Sequence, residues 1–92
     1  MSVRLMEQVW DMDIGATDRL VLLRLAWLAD GHGVARTTIK GRRGLSPATG
    51  LGVRAVQYAI RSLVDAGHLQ RLEQPGLGAE YHLRLDMLGG RS

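Results

Sequence analysis

Gly50-Leu-Gly-Val-Arg-Ala-Val-Gln-Tyr-Ala-Ile-Arg-Ser-Leu-Val-Asp-Ala-Gly-His-Leu69 is the stretch whose periodicity decides the fold. Val56, Ala59, Ile60 and Leu63 recur at helical spacing and share one face. The opposite face carries Arg54, Gln57, Tyr58 and Arg61. Gly50 suits a sharp turn, and Gly67 suits a left-handed stop after Ala66, because glycine takes positive φ without steric cost. The spacing thus predicts a tight turn, a helix from Val53 to Ala66 and a clean end. Its outer face is cationic and rich in hydrogen-bonding groups.

Beyond Gly67 the period falls to two. His68 to Glu73 reads as a strand, Gln74 to Gly78 as a turn and Ala79 to Leu85 as a second strand. There Tyr81, Leu83 and Leu85 alternate with Glu80, His82 and Arg84. Upstream, Val34 to Ile39 suits a single edge strand, and Lys40-Gly-Arg-Arg-Gly44 reads as a basic loop with exposed amides. Ser46-Pro47 then signals a helix start, Ser at the cap and Pro at the first helical position, in a helix reaching only Thr49. An earlier helix opens near Ala16 or Thr17, with Asp18 suited to its positive end, and runs to Asp30. It is apolar nearly all round, which predicts burial on more than one side. Either the N-terminal segment covers the spare face through Trp10, or a second copy does, with Trp10, Leu22 and Trp27 as candidate dimer contacts. Ser2 to Ile14 fits neither period through Val3, Leu5, Val9 and Trp10, and is expected as a partly extended arm. The expected division is therefore an arm over residues 1–15, a domain over 16–85 and a flexible tail over 86–92.

Ninety-two residues support one domain. Phe is absent, so the core is expected from Leu, Val, Ile, Ala and the two Trp. The lack of cysteine excludes a disulfide framework and a thiolate metal site. The longest apolar run, Leu20 to Ala29, is too short to span a bilayer and is interrupted by Arg24. Met1 leads into a polar, mixed-charge segment without the apolar run of a signal peptide. A cytoplasmic protein without membrane association is expected. Charge is unevenly distributed: residues 1–33 carry −2, residues 34–71 carry +6 with Asp65 their sole acid, and residues 72–92 carry −1. A positive charge gathered around one cationic helix points to nucleic acid rather than to a solvated face.

Gly50-Leu51-Gly52, Val56, Ala59-Ile60, Leu63 and Ala66-Gly67, followed by two strands ending in Tyr81-His82-Leu83, resemble the winged helix-turn-helix domains. The similarity is to those of phage and plasmid replication proteins and of small transcriptional regulators of mobile elements. It covers roughly Val9 to Leu85, with the Val9-Trp10 segment before a Leu-rich helix also similar. The resemblance implies an α+β fold, mainly α, with a three-helix core and a C-terminal two-stranded wing. It implies a sequence-specific double-stranded DNA-binding regulator, a repressor from a mobile element. The alternatives are a DNA-binding module of a replication or partition protein and a winged-helix protein-interaction module. Two departures stand out: Gly41, Gly44 and Pro47 shorten the helix before the turn, and Gly52 stands where a Ser cap is usual.

On that reading Arg54 and Gln57 are the candidate base contacts, since Arg pairs with guanine and Gln with adenine in the major groove. Lys40, Arg42, Arg43, Tyr58, Arg61 and Arg71 are the candidate phosphate contacts. The tip Gln74-Pro-Gly-Leu-Gly78 has no cation, so any wing contact is expected from backbone amides or from Arg71 and Arg84 at its base. His32, His68 and His82 are scattered, and no carboxylate pair or nucleophile–base spacing is present. No enzymatic activity, metal, cofactor or small-molecule ligand is expected.

Overall fold

In the computed structural model, which describes residues 2–74 and 78–85, four helices and three strands follow one another. They are α1 (Val3–Asp11), α2 (Ala16–Leu28), β1 (Val34–Thr37), α3 (Leu45–Thr49), α4 (Val53–Asp65), β2 (Leu69–Gln74) and β3 (Gly78–Leu83). The strands form one antiparallel sheet in the order β1-β3-β2. The fold is thus α+β, with β1 joined to the hairpin in a three-stranded sheet. The wing tip residues 75–77 and the tail 86–92 lie outside the described residues.

α4 forms where its periodicity places it. Val56, Ala59, Ile60 and Leu63 are all buried, and Gly50 and Gly67 take φ of 78° and 86° at the turn and the stop. Gly52 caps the helix without a side-chain bond. The turn is pinned from α3: the Ser46 hydroxyl donates to the Leu51 carbonyl at 2.6 Å, and the Thr49 hydroxyl accepts from the Leu51 N–H at 3.3 Å. Ser46 is therefore a tie across the turn rather than the cap. α3 starts earlier, after Gly44, which leaves Pro47 third in the helix, where its missing N–H has no intrahelical partner to lose.

The N-terminal segment is helical where an extended arm is expected. Leu5, Met6, Val9 and Met12 repeat at helical spacing once the two methionines are counted, and all four pack into the core or against it. Ser2 caps α1 by accepting the Leu5 N–H. At the other end the Arg19 guanidinium of α2 donates to the carbonyls of Val9, Trp10, Met12 and Ile14 at 2.8, 3.0, 2.9 and 3.2 Å. α2 itself starts after Gly15, without a side-chain cap, and stops at Leu28 rather than Asp30. The Asp30 carboxylate instead accepts the N–H groups of Val34 and His32 and turns the chain into β1; these two bonds, that from Val34 foremost, hold its pKa below the usual value.

The core runs through Val9, Val21, Leu22, Leu25, Leu45, Val56, Leu63 and Tyr81. Tyr81, fully buried, is its one large aromatic, whereas both tryptophans lie on the surface. Leu22 is fully buried too, so it presents no surface to a second copy.

Candidate nucleic-acid interface

Because α4 buries the face containing Val56 and Leu63, Arg54, Gln57, Tyr58 and Arg61 must face outward, and all four are exposed. Beside them lies an open groove of about 890 Å³ lined by Ile39, Arg54, Gln57, Tyr58, Ile60, Arg61, Val64, Asp65 and Arg71. Tyr58, 63% exposed, stands on it as a large amphipathic surface. Its charged lining is three arginines and one aspartate.

Arg71 reaches this groove from β2 because of the sheet register. It lies opposite Tyr81, so the two side chains share the inner face. Arg71 Nε–H donates to the Tyr81 hydroxyl at 3.3 Å, the guanidinium carbon stands 5.9 Å from the ring centroid, and Nη1 pairs with Glu73 at 3.0 Å. The hydrogen bond to Tyr81, followed by that to Glu73, holds the arginine pKa above its ordinary value against partial burial. A guanidinium held on two sides is pre-oriented, so less rotamer freedom remains to be lost on meeting an anion.

Lys40, Arg42 and Arg43 are exposed on the loop between β1 and α3 and do not line the groove. The loop is internally bonded. Thr38 Oγ1 donates to the Lys40 carbonyl at 2.6 Å, and the Gly44 N–H donates to the Gly41 carbonyl at 3.1 Å. The amide of Gly44 is therefore occupied rather than exposed for a ligand. A Cβ at Gly44 would collide with the carbonyls of Ile39 and Lys40, which explains a glycine at this crossing.

Arg84, the other cation expected at the wing base, bonds Gln70 at 2.6 Å. It follows β3, beyond the Glu80–His82 face that the register sets opposite to that of Arg71 and Tyr81. On that face Glu80 bridges Arg36 at 3.0 Å and His82 at 2.7 Å, and the His82 contact is the larger cause of its lowered pKa. Ile39, Val64 and Asp65 of the groove carry no motif and emerge only from packing. Among the described residues no group of three or more His, Cys, Asp or Glu is placed to hold a metal ion, and no helix is long and apolar enough to cross a membrane. No family model, curated protein or solved structure matches this chain.

Proposed function

We propose that this chain is a sequence-specific double-stranded DNA-binding transcriptional regulator of the winged-helix kind. In this reading α2, α3 and α4 are the helix trio, β2 and β3 the wing, and α4 the recognition helix. The observation that carries it is the groove in which three arginines, Gln57 and Tyr58 converge on the outer face of α4.

An exposed helix enters the major groove with its N-terminal residues nearest the base edges. Arg54, one residue into α4, and Gln57, one turn later, are then the base readers, bidentate to guanine and adenine respectively. Tyr58, Arg61 and the held Arg71 reach phosphates on one side of the helix, and Lys40, Arg42 and Arg43 reach them from the adjoining loop. The resemblance to regulators of mobile elements supports repression by operator occupancy in the cytoplasm of a host cell. The concentration of +6 in residues 34–71 favours DNA over a protein partner as the ligand.

Fluorescence anisotropy with a duplex from upstream of the gene and a scrambled duplex, across a salt series, tests the proposal. With roughly four to six phosphates contacted, log K should fall against log salt with a slope of about −4 to −5. Arg54→Ala should weaken the upstream duplex by about 1–3 kcal/mol while leaving the scrambled one nearly unchanged. Equal affinity for both duplexes removes the sequence-specific reading, and no binding at low salt removes DNA altogether.

A further inference from the structure

α1 and α2 form an antiparallel pair. The Ser2 N–H donates to the Ala26 carbonyl at one end, and Arg19 holds the carbonyls of Val9 and Trp10 at the other. Each helix carries an apolar stripe at the same spacing, Val3-Met6-Trp10 on α1 and Leu20-Leu23-Trp27 on α2. The antiparallel pairing lays the stripes side by side, with a tryptophan at opposite ends of the face. Val3, Trp10, Leu20 and Trp27 are 58, 63, 41 and 45% exposed. This face lies on the side of α2 turned away from α4, since Asp18 on the opposite side bonds Ser62 of α4.

We propose that a second copy of this chain covers this face across a two-fold axis. The four side chains leave roughly 400 Å² of apolar surface open, within the range of the largest patch on a typical monomer, which is often functional. Two such faces with their flanking polar residues bury about 1,200 Å², where stable interfaces begin. The charge pattern selects the occupant. The face is bordered by both signs, with Glu7 and Asp11 on α1 and Arg24 on α2, unlike the strongly basic segment behind it. Arg24 Nε is buried without a hydrogen-bond partner within the chain. A two-fold axis that sets α1 of one protomer against α2 of the other brings Glu7 of the partner subunit beside the Arg24 guanidinium at the rim of the face. The same axis places the apolar stripes in mutual contact, an isologous interface. Both α4 grooves stay open, and the dimer does not depend on the DNA-binding reading.

Sedimentation velocity without DNA, up to about 100 µM protein, tests the dimer. The wild-type chain should dimerise with a micromolar constant. Trp27→Lys, at an exposed position, should be monomeric with an unchanged circular dichroism spectrum and melting temperature. Glu7→Arg and Arg24→Glu should each raise the dissociation constant at least about tenfold, and the double variant should recover most of that loss. A chain monomeric at every concentration overturns the proposal and leaves the face to a different partner. So does a folded Trp27→Lys variant that dimerises like wild type. A double variant no tighter than the singles overturns the Glu7–Arg24 pairing.

Discussion

Replacing Arg19 with Ala should unfasten α1 from the domain. One guanidinium donates to four carbonyls around the α1 stop, those of Val9, Trp10, Met12 and Ile14, at 2.8–3.2 Å. The last carbonyls of a helix lack intrahelical donors, and a cation there also meets the negative end of the dipole. A hydrogen bond from a charged donor contributes about 1.5–3 kcal/mol when buried. Arg19 is half-exposed, and water can replace part of each bond, so roughly 0.5–1 kcal/mol apiece is the better figure. The loss is then about 2–4 kcal/mol, a large share of the 5–15 kcal/mol typical of a domain. At about 4–8 °C per kcal/mol for a chain of this size, melting should fall by on the order of 10–25 °C. Arg19→Lys keeps the charge but not the planar five-donor fork and should fall between. Urea unfolding followed by circular dichroism measures both, and hydrogen exchange should show α1 amides exposed first. An Ala variant within about 0.5 kcal/mol of wild type, or a Lys variant equal to it, refutes the clamp.

Gly44→Ala should cost about 3 kcal/mol or more, because the new Cβ meets the carbonyls of Ile39 and Lys40 and only a backbone shift relieves it. A urea midpoint unchanged from wild type would contradict that crossing. Glu80 ties pH to stability. Its folded-state pKa is lowered by His82 and then Arg36, so its contribution is complete above the ordinary value of 4.5 and is lost as pH falls through the folded value. Glu80→Gln should therefore be less stable at neutral pH and show a shallower decline in urea midpoint on acidification, and parallel profiles for the two proteins would rule this out.

How legible these features are depends on how local their causes are. α4 is readable because its face, turn and stop depend on residues within a few positions of one another, and its outer face is the complement of its buried one. α1 is less so: its pattern becomes helical only with Met6 and Met12, and its end is held by Arg19 on the next helix. The α2 end depends on Asp30 preferring two backbone amides to another helical turn. Composition points the tryptophans inward, yet Tyr81 takes the central place because Arg71 gives its hydroxyl a partner. Arg71 enters the groove only through the register that faces it with Tyr81, and its charge alone cannot specify that pairing. α2 shows the same limit from the other side. Its all-round apolarity signals several neighbours without identifying them, and α1, α3, α4 and β1 account for most of that surface. Leu20 and Trp27 are the remainder. In the proposed dimer that remainder meets the stripe on α1 of the second copy, a neighbour that the sequence of α2 alone cannot identify.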